Sequence, residues 1–123
     1  MNTLHIMIVD DEPKVAFFLG KALEHSNKGY RVSITHSGEE ALGIFNDHPI
    51  DLLVTDLRMS GINGLELIRQ MQASSPKMRT ILITAYGDGE IEAQARRLQV
   101  GRYINKPFTI TDLLNAVQEM LVE

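Results

Sequence analysis

Five short apolar runs, each followed by a stretch of helical periodicity, divide the chain, and this alternation narrows its fold more than any other feature. The runs read as strands at residues 4–9, 30–35, 51–55, 80–83 and 102–104. Short runs that are apolar throughout are typical of strands covered on both faces in a parallel sheet. The first, third and fourth runs are the most apolar and belong at the centre. Tyr30-Arg31-Val32-Ser33-Ile34-Thr35 alternates, as an edge strand does. Parallel crossovers are right-handed, and helices on both faces of so short a chain predict a doubly wound α/β sheet of five strands and five helices. The expected strand order is 2-1-3-4-5, with strands 1 and 3 adjacent at the switch point.

The helices carry their own start signals. Pro13 suits a first turn, and Val15, Phe18, Leu19, Ala22 and Leu23 are expected to form one inward stripe. Ser37-Gly38-Glu39-Glu40 is a capping box with Ala41, Leu42 and Phe45 inward. Asn63-Gly64-Leu65-Glu66 repeats the device before Leu67, Ile68 and Met71. Thr109-Ile110-Thr111-Asp112 is an acidic variant that opens a stripe of Leu113, Leu114, Val117, Met120 and Leu121. Asn27-Lys28-Gly29 and Ser74-Ser75-Pro76 read as stops. The fourth helix, residues 89–99, turns only Ile91, Ala95 and Leu98 inward. It buries the least apolar area and is expected to be the most easily displaced.

At 123 residues the chain is expected to be one domain, residues 1–123. A net charge of -4 lacks the basic excess of a nucleic-acid binder, so no direct nucleic-acid contact is expected. The absence of cysteine excludes disulfides, thiol catalysis and cysteine metal sites, and fits a cytoplasmic location. The first strand starts too early for a signal peptide, and no apolar run approaches membrane-spanning length, so no membrane association is expected.

The residues that end these runs carry the chemistry. Asp10 and Asp11 follow the first run, Asp56 the third and Thr84 the fourth; Lys106 closes the fifth and precedes Pro107. In an open α/β sheet the strand C-termini share one edge, and ligands bind in the crevice there. Three carboxylates, a lysine and a hydroxyl at one crevice describe a divalent-metal and phosphoryl site. Two unit charges ~4 Å apart interact by about 1 kcal/mol in water and about 4 kcal/mol at an effective dielectric of 20. Such a cluster calls for a cation, and Mg²⁺ prefers oxygen ligands of this kind. One aspartate beside Pro13 would more simply cap a helix, but a pair facing Asp56 and Lys106 favours metal binding. Asp56 is the candidate nucleophile, since carboxylates form acyl phosphates. Lys106 offers a compact cation for a phosphate, and Pro107 permits a cis Lys106–Pro107 peptide that aims the ammonium into the site. Thr84 offers a hydroxyl donor. His5, His25, His36 and His48 are scattered and fit packing or surface roles. Arg96, Arg97 and Arg102 make a basic patch beside the fourth helix, for which a solvated face is the default reading.

Four segments then carry a resemblance: Ile8-Val9-Asp10-Asp11-Glu12-Pro13, Asp51-Leu52-Leu53-Val54-Thr55-Asp56-Leu57-Arg58-Met59, Ile83-Thr84-Ala85-Tyr86-Gly87 and Tyr103-Ile104-Asn105-Lys106-Pro107-Phe108. In this order, each at a strand end, they make the chain resemble the receiver domain of two-component response regulators over essentially its whole length. The resemblance implies a flavodoxin-like fold. It implies that Asp56 accepts a phosphoryl group from a sensor histidine kinase or a phosphotransfer protein. Mg²⁺ (or Mn²⁺) would be held by Asp10, Asp11, Asp56 and the backbone carbonyl of Arg58. Thr84 and Lys106 would bind phosphoryl oxygens, Thr84 and Tyr103 would form the switch, and Arg58 and Tyr86 would modulate phosphoryl lifetime. The output face would be the fourth helix, fifth strand and fifth helix, engaging an effector domain or a second copy. Such a domain is a switch, catalysing only its own phosphorylation and dephosphorylation. One departure is Ser60, which stands where the family usually has proline after Met59; it loosens the turn and removes no ligand. Three rivals are weaker. A phosphatase would need a second acid near the nucleophile, where Leu57, Arg58 and Met59 stand. A flavin module would need a phosphate loop where Asp10-Asp11-Glu12 repels one. A degenerate receiver would have lost the acidic, hydroxyl and lysine positions that are intact here.

Overall fold

The computed structural model describes residues 3–26, 28–85 and 89–121. Its elements run β1 (His5–Val9), α1 (Pro13–Glu24), β2 (Arg31–Thr35), α2 (Gly38–Asp47), β3 (Leu52–Asp56), α3 (Gly64–Ser74), β4 (Arg79–Thr84), α4 (Gly89–Arg97), β5 (Arg102–Asn105) and α5 (Ile110–Leu121). The five strands form one parallel sheet in the order β2-β1-β3-β4-β5. This is the predicted α/β architecture.

Alternate residues of the central strands feed two separate cores, which is why these strands are apolar at nearly every position. Ile6, Ile8, Leu52, Val54, Ile81 and Ile83 pack under α1 and α5 with Leu19, Leu23, Leu113 and Val117. Met7, Val9, Leu53 and Leu82 pack on the other face with Leu67, Ile68 and Met71 of α3. Asp56 and Thr84 are the last residues of β3 and β4 rather than the first beyond them.

The α1 stripe differs from the expected one at Phe18, which is 61% exposed. The buried face is Ala16, Leu19, Gly20 and Leu23. A Cβ on Gly20 would collide with the Ile34 side chain, so α1 lies close against β2 at that point. That contact sets the rotation of the helix and turns Phe17 and Phe18 outward.

Each cap satisfies helix-end amides by a slightly different route. Thr109 and Asp112 make a complete box, Asp112 N–H donating to Thr109 Oγ1 and Thr109 N–H to Asp112 Oδ2, both at 3.0 Å. Ser37 Oγ accepts from Glu40 N–H at 3.0 Å, while the Glu40 carboxylate reaches one residue further back, to His36 N–H. Asn63 caps α3 at 2.9 Å, but Glu66 turns along the helix to Arg69 and Gln70.

Among the described residues of α4 only Ala95 is buried. With so little apolar area holding it, α4 is expected to open first. Hydrogen exchange should show its amides exchanging at least about tenfold faster than those of α3. Equal protection in the two helices would contradict this.

His5 sits at the opposite edge of the sheet from Asp10, Asp11 and Asp56, its N–H donating to Asp51 Oδ2 at 2.7 Å, and is 5% exposed. Its Nδ1 lies 3.1 Å from the Pro49 carbonyl and its Nε2 2.6 Å from Ser33 Oγ. A carbonyl only accepts, so the neutral ring donates from Nδ1 and accepts the Ser33 hydroxyl at Nε2. Burial, aided by the Arg31 charge, holds this imidazole below its ordinary value of 6.5. A base with a depressed folded pKa favours the native state when neutral. Its contribution is complete above pH 6.5 and is lost as pH falls from there through the folded value. Urea unfolding should therefore show lower stability at pH 5.5 than at pH 7.5, and His5→Gln should flatten that difference; an unchanged pH slope in the variant would refute the assignment.

Candidate functional site

The C-terminal edge of the sheet gathers side chains from four neighbouring strand ends. Asp10 leaves β1 with its N–H on the Thr35 carbonyl, and its Oδ1 accepts from Glu12 N–H at 2.9 Å. Asp56 closes β3. Its Oδ1 accepts from Leu57 N–H at 2.9 Å, and its Oδ2 lies 3.1 Å from Lys106 Nζ. The two bonds fix the carboxylate plane of a side chain that is almost wholly buried. Lys106 is aligned by its own N–H, which donates to the Thr84 carbonyl at 2.8 Å, and the Lys106–Pro107 peptide is cis. Thr84 is 1% exposed at the end of β4.

The backbone after Asp56 returns tightly. Gly64 N–H donates to the Leu57 carbonyl, and the Gly64 α-carbon rests against the Asp56 carbonyl so closely that any Cβ would collide with it. Glycine at position 64 therefore lets α3 begin directly beneath Asp56.

One ligand oxygen from each of Asp10, Asp11 and Asp56 lies within 4.8 Å of the others. Asp10 and Asp56 are buried and Asp11 is exposed. Lys106 offsets one of the three negative charges. Burial pushes the Asp10 carboxyl above its usual value, and the neighbouring Asp56 charge adds to this; the Glu12 N–H and Lys106 oppose it. Carboxylate oxygens without nitrogen or sulfur ligands, converging on one point with uncompensated charge, suit a hard divalent cation.

The fold thus brings Asp10, Asp11, Asp56 and Lys106 together, with Thr84 bonded to Lys106 through the main chain. Tyr103 lies in β5, half-buried, packed against the core layer that also contains α3 and Ala95 of α4. Arg58 is exposed in the loop after β3. Tyr86 and Gly87 lie outside the described residues, as does Asn27 of the first predicted stop. Arg102 is paired with Glu119 of α5 at 2.6 Å, which leaves Arg96 and Arg97 as the exposed remainder of the basic patch.

Two contacts have no counterpart in the motif reading. Ser60 N–H donates to Asp11 Oδ2 and Ile62 N–H to Glu39 Oε2, each at 3.4 Å. The sequence signal for the first was present: a residue other than proline at position 60 keeps an amide hydrogen.

A family model described as "Response regulator receiver domain" matches residues 6–118. Transcriptional regulatory protein GlrR of Escherichia coli is 32% identical over 117 residues, 95% of this chain and 26% of the relative. Sporulation initiation phosphotransferase F of Bacillus subtilis is 28% identical over 116 residues, 94% of this chain and 92% of the relative. The crystal structure of a CheY-like receiver domain protein from Methanospirillum hungatei superposes with a TM-score of 0.89 at 27% identity, covering 96% of this chain and 93% of that one. The chain therefore spans about a quarter of the length of GlrR and nearly all of the Bacillus relative.

Proposed function

Because this chain belongs to the response regulator receiver domain family, we propose that it is a phosphoacceptor switch whose residues 1–123 form one signalling domain. Asp56 takes a phosphoryl group from a sensor histidine kinase or a phosphotransfer protein. The observation that carries this reading is the buried Asp56 carboxylate, 3.1 Å from Lys106 and within 4.8 Å of two further carboxylates. An acid so placed is a nucleophile beside a cation that matches a phosphoryl oxygen.

Asp10, Asp11, Asp56 and the Arg58 carbonyl are the residues that would hold Mg²⁺ (or Mn²⁺). Bound there, the ion supplies charge neutralisation between an anionic nucleophile and an anionic phosphoryl group. The Leu57 N–H holds one Asp56 oxygen and keeps the carboxylate oriented. An Asp56 oxygen attacks phosphorus; the new P–O bond forms as the donor's P–N or P–O bond breaks, and the donor leaves with that electron pair. Lys106 then exchanges a carboxylate for a phosphoryl oxygen, and the Thr84 hydroxyl donates to another.

Phosphorylation adds about -1.5 to -2 charge. Because Lys106 N–H is bonded to the Thr84 carbonyl, a pull on either residue is felt by the other. Movement of Thr84 opens space for Tyr103, and α4, with one buried side chain, shifts with little loss of packing. The face made by α4, β5 and α5 then favours a different partner, an effector domain or a second copy. The group biases an equilibrium between existing conformations. Arg58 and Tyr86 set how long it survives. The domain turns over nothing beyond its own phosphorylation and dephosphorylation.

The net charge of -4 argues against direct nucleic-acid contact. Among the described residues no helix is long and apolar enough to cross a membrane. A cytoplasmic place beside a kinase accords with both observations. Incubation with a small acyl-phosphate donor and Mg²⁺ should raise the intact mass by one phosphoryl group that hydroxylamine removes, as it does from an acyl phosphate. An unchanged mass would sink the reading.

A further inference from the structure

The loop between β3 and α3 is held by carboxylates that belong to two other parts of the chain. Asp11, after β1, accepts from Ser60 N–H at Oδ2, and Glu39, in the first turn of α2, accepts from Ile62 N–H at Oε2. Gly61 lies between them with φ +80°, a conformation that suits glycine, and the Glu39 carboxylate lies where a side chain at position 61 would go. The Ile62 side chain fills the space above Gly38 of α2, which anchors the same end of the loop. The loop is thus fastened to α2 at one end and reaches Asp11 through the Ser60 amide.

We propose that Ser60 is a positioning residue for the cation site, acting through its main-chain amide on Asp11. The inference rests on the reading of Asp10, Asp11 and Asp56 as that site. Asp11 is the exposed member of the three, and an unattached exposed carboxylate samples several rotamers. Binding an ion requires one of them, and freezing a side chain opposes association. An amide on Oδ2 leaves both Oδ1 lone pairs and one on Oδ2 available, so it orients the carboxylate without filling its ligand positions. The contact is long, so its effect should be modest. It exists because residue 60 is not proline, which has no N–H to give. By linkage, whatever the amide adds to cation affinity, the cation returns as protection of the amide.

The test is a Mg²⁺ titration of the full chain followed by ¹H–¹⁵N NMR, on wild type, Ser60→Ala and Ser60→Pro. Ser60→Ala keeps the amide and should have the wild-type midpoint. Ser60→Pro removes it, and half-saturation should require about threefold more Mg²⁺. The initial rate of phosphorylation at saturating Mg²⁺ should be the same in all three, separating positioning from chemistry. A wild type that saturates beside a Ser60→Pro variant with an unchanged midpoint overturns the inference alone. An equal shift in Ser60→Ala also overturns it, because the side chain would then be responsible. A wild type that shows no saturation removes the cation site and this inference with it. Should Ser60→Pro fail to fold, the wild-type amide decides: Mg²⁺ must slow Ser60 N–H exchange, and exchange at the same rate with and without the ion is the overturning result.

Discussion

Asp56→Asn is expected to abolish labelling by a small acyl-phosphate donor in the presence of Mg²⁺, lowering the initial rate by at least ~100-fold. The carboxamide is nearly the same size and keeps one oxygen, which can accept from Leu57 N–H as Asp56 Oδ1 does at 2.9 Å, while its NH2 replaces the Oδ2 that meets Lys106 at 3.1 Å and cannot accept from it. What it lacks is the anionic oxygen that attacks phosphorus. Two opposing effects act on folding. The variant loses an ion pair with Lys106 and is relieved of repulsion from Asp10 and Asp11, so its circular dichroism should match the wild type. The loss of labelling then reports chemistry rather than unfolding. Labelling at the wild-type rate would remove Asp56 from the mechanism.

Asp10→Asn is expected to make the metal-free domain more stable and to cancel its stabilisation by Mg²⁺. Asp10 is 3% exposed, and an oxygen of it lies within 4.8 Å of oxygens from both Asp11 and Asp56. At that separation and an effective dielectric of 20, each like-charged pair costs about 3 kcal/mol before Lys106 offsets part of it. Removing one charge should therefore raise metal-free stability by about 1–2 kcal/mol, a rise of several degrees in Tm. In the wild type, Mg²⁺ should raise Tm by binding the native state alone. In the variant that increment should nearly vanish, because Asp11, Asp56 and the Arg58 carbonyl must hold the ion without the third carboxylate. The two signs are opposite, which general destabilisation cannot produce. The pH dependence follows from the same group. Burial raises the folded pKa of Asp10, and an acid with a raised folded pKa favours the native state when protonated. Its contribution to metal-free stability grows as pH falls through that raised value, and Mg²⁺ affinity falls in the same window because protons compete for the oxygen. This trend is opposite in sign to that of His5, and Asp10→Asn should remove only the Asp10 part. A variant that is less stable without metal, yet keeps the full Mg²⁺ increment, would contradict the account.

Much of the fold is legible in the sequence because its signals are short in range. Ile6 to Val9 and Leu52 to Val54 are apolar at every position, which only a strand covered on both faces needs, while Arg31 and Ser33 interrupt β2 as an edge position allows. Ser37, Asn63 and Thr109 each cap a helix within three residues of themselves. Phe18 escaped this logic. Seven apolar residues in α1 fit more than one helical stripe, and the close approach of Gly20 to Ile34 selects among them. Glu66 escaped it too, because Arg69 one turn ahead competes with the helix end for the same carboxylate, holding it well below the usual range, at about 2.

The candidate site divides in the same way. By itself the sequence determined the type of each element, their order, and that acids, a hydroxyl and a lysine stand at strand ends. Periodicity and capping act over a turn or a pleat and leave their mark in adjacent residues. Only the tertiary structure decided that Asp56 and Lys106, fifty residues apart, meet at 3.1 Å. It also decided that Asp10 is buried with a raised pKa while Asp11 stays in solvent beside an amide of the next loop. Those outcomes depend on strand register, helix rotation and local dielectric, which arise from the packing of distant segments and are written in no single stretch of chain.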